Sequence, residues 1–475
     1  MPRARKGWIM EFAKGSRAIE KIDTDTFYRF TKSICPECKR LVDAEVIVRD
    51  EKVYMKKYCS EHGVTEALIS SDADMYLASL KYNKPGRMPL HFASEIERGC
   101  PYDCGICPNH EQHTCLGIIE ILDRCNLNCS TCFASASNSY MLSLEKIEGM
   151  IDLLVKCEGD PEVLQISGGE PTLHPQLNEV IGYAQSKGIK YVEVNTNGVR
   201  LAGEEFAKKM AEARPYIYLQ FDGFNPETYK KIRGVDLSKI KLKAIENCEN
   251  FGMPVTLVPT IVKGVNDHEM GEIIKFAIEE PIVKAINFQP ITAVGRNNGV
   301  DPLDRMTLAD VVRGIEEQTR GLLKRSDFIP IPCPHPTCSA ITYVYIEDGK
   351  ATPLPRIVNV DDYLDYFKNR TIADVDMIGD ALGGLWSASA VGGSETTLEN
   401  YCNACGMAQP NLEEISDNVL IIGSMAFMDE HTFDLKRAMK CCIHEILPNG
   451  KMIPFCIYNI LYREKLVPSF GVAHG

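Results

Sequence analysis

The chain has 475 residues, 45% of them hydrophobic and 25% charged, which suits a globular protein of about two to four structural units. Its 65 acidic against 52 basic residues give a net charge of −13, and a field of that sign repels nucleic acid, so no such partner is expected. No apolar run reaches the roughly 18 residues needed to cross a bilayer, and the first ten residues lack the apolar segment of a secretory signal, so a cytoplasmic protein is expected.

In chain order, Arg3, Arg5 and Lys6 come first and leave peripheral contact with an anionic membrane as the one membrane role. The chain carries 19 cysteines, which in a reducing compartment point to metal ligands rather than disulfides. Cys35 and Cys38, then Cys59 and His62, form two knuckles that fit a tetrahedral Cys3His zinc ribbon or a rubredoxin-like iron site, in an N-terminal domain over 1–90. Cys100, Cys104 and Cys107 follow in a C-x-x-x-C-x-x-C triad. With Cys115 as a candidate fourth ligand, they predict an auxiliary iron–sulfur cluster in the segment 91–115.

From 114 to 291 short apolar strands alternate with amphipathic helices. Strands are predicted over 115–122, 163–167, 191–195, 216–222, 255–259 and 285–289, and helices over 144–157, 240–251 and 268–278. Six such units in sequence mean a parallel sheet, and six rather than eight predict an open, partial (β/α)6 barrel as the core over 116–325. Loops after the strands then gather at one end, which brings Cys125, Cys129, Cys132, Glu170, Asn195, Asn197, Gln220 and Asp222 into one mouth. Cys125, Cys129 and Cys132 repeat the triad spacing directly after the first strand, and three thiolates leave one iron of a 4Fe–4S cluster open. Gly168 and Gly169 let the backbone approach a ligand, and Glu170 can accept hydrogen bonds from an ammonium. Cys157 and Cys248 lie on apolar helical stripes and read as core residues.

Beyond the barrel, the region 326–475 holds seven more thiols. At least one further cluster is expected there, with Cys333, Cys338, Cys402, Cys405, Cys442 and Cys456 as candidate ligands and Cys441 beside them. The Gly-, Ser- and Ala-rich stretch 379–397 reads as a lid, and His335, His431 and His444 as ordinary surface or core histidines.

The triad of Cys125, Cys129 and Cys132 with the Gly-Gly-Glu-Pro turn at 168–171 resembles the radical S-adenosylmethionine (SAM) enzymes. The resemblance implies that the open iron chelates SAM. An electron from a low-potential donor such as ferredoxin then yields a 5′-deoxyadenosyl radical that abstracts hydrogen from carbon. By position, Asn197, Gln220 and Asp222 would join Gly168, Gly169 and Glu170 as cofactor contacts. Family members place an aromatic before the third cysteine, where this chain has Thr131, with Phe133 following. Over nearly the full length the order of cysteine motifs is similar to the archaeal tetraether lipid synthases. That implies joining the terminal methyl carbons of phytanyl chains of two archaeal diether phospholipids, in a long apolar channel, with one or two auxiliary 4Fe–4S clusters. The same group has been read as class D radical SAM methyltransferases acting on a 7,8-dihydropterin precursor of methanopterin, which implies a one-carbon donor and a polar heterocycle pocket. The lipid reading is the first expectation and the pterin reading the second. A non-enzymatic electron carrier would need the clusters but have no use for the turn at 168–171.

Overall fold

The computed structural model describes residues 25–356 and 418–470, apart from 135, 138, 298, 332 and 348. Cys402, Cys405, the stretch 379–397 and the basic residues Arg3, Arg5 and Lys6 lie outside the described residues. Among the described residues no helix is long and apolar enough to cross a membrane.

The chain opens with a four-stranded antiparallel meander, β1 (Thr26–Ile34), β2 (Leu41–Arg49), β3 (Lys52–Cys59) and β4 (Gly63–Ser70), followed by α1 (Ala73–Ser79) under an Asp72 cap. Its own core is small, with Val46, Val53, Ala73 and Tyr76 buried together.

The barrel follows. Its strands are β5 (Leu116–Glu120), β6 (Val163–Ser167), β7 (Tyr191–Thr196), β8 (Tyr216–Gln220), β9 (Val255–Val258), with the short β10 (Thr260–Ile261) after it, and β11 (Val283–Pro290). Helices α2 (Leu144–Glu158), α3 (Leu177–Ser186), α4 (Glu204–Ala211), α5 (Pro226–Arg233), α6 (Ser238–Asn250) and α7 (Met270–Glu279) intervene, and α8 (Leu308–Gln318) follows. The six main strands pair in parallel and in sequence order, as the alternation predicts. Their period of two separates the faces. Leu164, Ile166, Val192, Val194, Ile217 and Leu219 turn outward into the helical layer, while Gln165, Glu193, Asn195 and Tyr218 turn inward.

The C-terminal region extends this sheet at both edges. It supplies β12 (Ser339–Glu347), β13 (Lys350–Pro353), β14 (Val419–Met425), α9 (Leu435–Met439), β15 (Ile443–Ile446) and β16 (Met452–Pro454). Strand β14 lies parallel to β11, with Ala285 opposite Ile421, and β15 lies parallel to β5, with Ile443 opposite Leu116. Eight consecutive strands from β14 to β15 are therefore parallel, and the antiparallel β12 and β16 flank them. A closing helix, Arg463–Phe470, is locked to the barrel by a buried bidentate pair from Arg463 to Glu120 at 2.7 and 2.6 Å.

Candidate active site

The loop carrying Cys125, Cys129 and Cys132 is seated by the exit of β6. Gly169 N donates to Leu122 O at 2.8 Å and Glu170 N donates to Arg124 O at 2.9 Å. Gly168 has φ 129°, outside the range of ordinary side-chain-bearing residues, and a Cβ on Gly168 or Gly169 would strike the carbonyls of Leu122 or Arg124. The two glycines thus let one strand end press on the base of the cysteine loop. Cys125 Sγ accepts from Leu127 N at 3.4 Å, and Asn197 Nδ2 donates to Asn126 Oδ1 at 2.7 Å. Burial pushes the Cys125 thiol up to about 11; it also raises Cys129, against the opposing pull of the Arg233 guanidinium. Half-buried thiols of this kind ionise when a metal supplies the positive charge, so the donor set fits an iron–sulfur cluster.

Beneath the loop the strand ends are tied by charges. Glu170 is 1% exposed and accepts from Thr172 N and Oγ1, Thr196 Oγ1 and Asn197 N, so its carboxylate joins β6 to β7. Asp222 is fully buried, held bidentate by Arg233 at 2.7 and 2.8 Å and by Thr260 N at 3.1 Å. Gln220 donates to Asp222 and accepts from Lys241 Nζ at 2.9 Å, and Lys241 also donates to Asn197 O. Burial brings the Lys241 ammonium down to about 7. Thr131 Oγ1 accepts from Arg233 at 3.3 Å, while Phe133 stacks on Phe455 at 5.6 Å and meets Phe427 at 5.7 Å. The aromatic after the third cysteine therefore packs toward the C-terminal region. Arg233 and Lys241 complete this network, although in sequence they look like solvated helix charges.

Below the mouth lies a cavity of about 590 Å³, lined by Cys132, Phe133 and Gly168 on the side of the cysteine loop and by inward strand residues deeper in the barrel. Apolar walls from Ile118, Ile286, Ile421 and Met425 face a polar ladder. Gln165 Nε2 donates to Glu193 Oε2 at 2.5 Å, Asn195 Nδ2 donates to Gln165 Oε1 at 3.3 Å, and Tyr218 OH accepts from Asn287 at 2.7 Å and from Gln289 at 3.1 Å. Among the described residues the cavity's walls are thus mostly apolar, crossed by this one polar ladder.

The other thiols sort into groups. In the ribbon, Cys35 Sγ lies 3.6 Å and Cys59 Sγ 3.5 Å from His62 Nδ1, and Cys38 and Cys59 are 4.0 Å apart. Those lengths match the edges of a tetrahedron about a single ion with metal–sulfur bonds near ~2.3 Å. Backbone N–H groups of Glu61 and His62 hold the Cys59 thiol down to about 6, which favours the ligating thiolate. Burial, and then the neighbouring thiols, raise Cys100 and Cys104, which with Cys107 form a second group. Cys115 does not complete it, because it converges with Cys333 and Cys442, all three buried. Cys115 and Cys333 come together in the fold, with Cα atoms 7.5 Å apart and Cys442 alongside. His113 Nε2 lies 3.5 Å from Cys115 Sγ and its Nδ1 2.9 Å from Glu158. Cys338, Cys441 and Cys456 gather near Arg437, whose Nε donates to Cys338 Sγ at 3.4 Å. Cys441, outside the set of candidate ligands, stands with Cys338 and Cys456 while Cys442 stands with Cys115 and Cys333, so the adjacent pair serves two groups.

The chain matches the family described as the Radical SAM superfamily over residues 119–277, and the HMPTM N-terminal zinc ribbon domain over 27–71. It is 36% identical to the 7,8-dihydro-6-hydroxymethylpterin dimethyltransferase of Methanocaldococcus jannaschii, over 93% of this chain and 95% of that one. A GTP 3′,8-cyclase of Alkaliphilus oremlandii is 33% identical over 36% of this chain and 56% of its own length. Among solved structures, Streptococcus suis SuiB bound to S-adenosylmethionine is similar with a TM-score of 0.37 and 18% identity, over 44% of this chain and 48% of that one. The protein is thus a radical SAM enzyme with a 4Fe–4S cluster and SAM as cofactors, a zinc-ribbon type metal site and further cysteine groups suited to auxiliary clusters. The chain belongs to the radical SAM superfamily and, within it, to the family of the Methanocaldococcus jannaschii dihydropterin dimethyltransferase.

Proposed function

We propose that the protein is a radical SAM C-methyltransferase acting on a dihydropterin of the 7,8-dihydro-6-hydroxymethylpterin class. The observation that carries this reading is the 36% identity to the pterin dimethyltransferase, which runs over 93% of the chain. The cavity is in keeping with it, since about 590 Å³ of mostly apolar wall crossed by amide, carboxyl and phenol groups can hold a flat heterocycle and pair with its polar edge. The lipid-coupling reading, placed first on the sequence alone, therefore yields to the second.

Bound cluster and SAM supply hydrogen-atom abstraction from carbon. The protein's own residues seat and shield that chemistry. Gly168 and Gly169 admit the cysteine loop, the Asp222–Arg233 pair fixes the strand end behind Cys129, and Phe133, Phe427 and Phe455 cover the side toward the C-terminal thiols. A low-potential donor such as a ferredoxin supplies the electron.

The test uses the full-length protein, reconstituted anaerobically with SAM, a low-potential reductant, the dihydropterin and a methylene-tetrahydropterin as one-carbon donor. A parallel arm receives archaeal diether lipid. Mass spectrometry should find 5′-deoxyadenosine with a methylated pterin, and unchanged lipid. A coupled lipid product with unmodified pterin would overturn the proposal.

A further inference from the structure

We infer that Glu193 is the residue that selects the substrate's ring, by pairing with the donor edge of a 2-amino-4-oxopyrimidine, a ring N–H beside an exocyclic amine. This rests on the proposed function and assigns its substrate a binding residue.

Glu193 sits in the middle of β7, facing inward and lining the cavity. It is 8% exposed. Its Oε2 is occupied by Gln165, which fixes the carboxyl's orientation, and its Oε1 has no hydrogen-bond partner among the described residues. A buried carboxyl with one oxygen pinned and the other open onto a cavity lacks a donor that a ligand can supply. Two cations line the cavity and neither meets the need: Arg463 is spent bidentate on Glu120, and Lys284 has an interaction of its own and does not act on the Glu193 carboxyl. Burial pushes the Glu193 carboxyl up to about 7, opposed only by the Gln165 hydrogen bond, so a ligand bringing two N–H donors would restore its charge.

The surroundings complete the recognition. A carboxylate facing two adjacent N–H donors forms two parallel, charge-assisted bonds, which fix a planar ring in its own plane. Asn195, two residues along β7, has a buried Oδ1 with no hydrogen-bond partner among the described residues, a second acceptor on the same inward face. Asn197, which touches the cysteine loop, lies four positions on from Glu193, just past the end of β7, a rise of about 13 Å in extended chain. A bicyclic ring gripped at Glu193 by its pyrimidine edge would direct its opposite edge toward the mouth. Guanine presents the same donor edge, so a guanine nucleotide is the other source of this chemistry.

The test is anaerobic equilibrium binding to the reconstituted full-length protein, with three probes: 7,8-dihydro-6-hydroxymethylpterin, GTP and the dihydropterin lacking its 2-amino group. The wild type should bind the dihydropterin at least tenfold more tightly than the desamino analogue, and Glu193→Gln should lose that discrimination. Dihydropterin binding by Glu193→Gln as tight as by wild type overturns the inference and leaves the proposed function standing. Tight, Glu193-dependent binding of GTP but not of the pterin keeps the inference and overturns the proposed substrate. Failure of the wild type to bind any ring compound overturns both. If the variant does not fold, the wild type still decides, because equal affinity for the amino and desamino pterins overturns the role of Glu193.

Discussion

Glu445, in β15, is wholly buried and neither of its carboxyl oxygens has a hydrogen-bond partner among the described residues. Burial, and then the neighbouring Glu120, hold its carboxyl well above the ordinary range, so the folded protein keeps a proton that the unfolded chain releases. The stability linked to that proton is complete below the unfolded pKa of about 4.3 and is lost as the pH rises toward the folded value, at up to about 1.4 kcal/mol per pH unit. Glu445→Met keeps the volume and removes both the titration and the two orphaned oxygens. The variant should melt about 2 °C or more above wild type at pH 8, with a smaller margin at pH 5. A variant that melts lower at both pH values would show instead that the carboxyl has a partner that stabilises it.

Asp222 at the end of β8 and Arg233 in the last turn of α5 form one device, and breaking it tests whether the strand end depends on the helix. Asp222→Ala leaves a buried guanidinium unpaired beside Cys129 and should cost about 3–5 kcal/mol, read as a large fall in melting temperature. Asp222→Ala with Arg233→Met should recover most of that loss; a double variant no more stable than the single one would place the cost in packing. This pair also marks where the sequence stopped being legible. The strands at 163–167 and 191–195 were readable because their apolar runs are local, and α2 because its apolar residues recur at helical spacing. The cysteine loops were readable for the same reason. Arg233 lies 102 residues from Thr131 in the chain and Lys241 44 from Asn197, and nothing local separates a buried partner from a surface charge. Strand β15 is four residues long, too short for periodicity to say that it would extend the barrel beside β5.

At the scale of the whole molecule, the ribbon docks against the loop that leads to the C-terminal thiols. Arg29 pairs with Asp434 at 2.6 Å and Thr31 donates to it at 2.8 Å, while Lys57, 2% exposed, donates to the carbonyls of Ile34 and Glu430. Asp434 caps α9, and Arg437 in that helix donates to Cys338, so one chain of contacts runs from the ribbon to the group of Cys338, Cys441 and Cys456. A four-stranded ribbon of this length buries too little apolar surface to hold itself without a staple, which makes the metal ion of Cys35, Cys38, Cys59 and His62 the closing element. Cys38→Ser with Cys59→Ser removes two ligands on the outer side of the fold. Trypsin should then cut within 27–71, and the iron bound per chain should fall as Asp434 and Arg437 lose their support. Reductive cleavage of SAM should persist, because the loop of Cys125, Cys129 and Cys132 is seated by β5 to β7 and by none of the ribbon's contacts. Protease resistance and iron content equal to wild type would mean that the docked surface, rather than the metal, holds the ribbon. Loss of SAM cleavage along with the iron would mean that the C-terminal thiols carry the electron to the barrel.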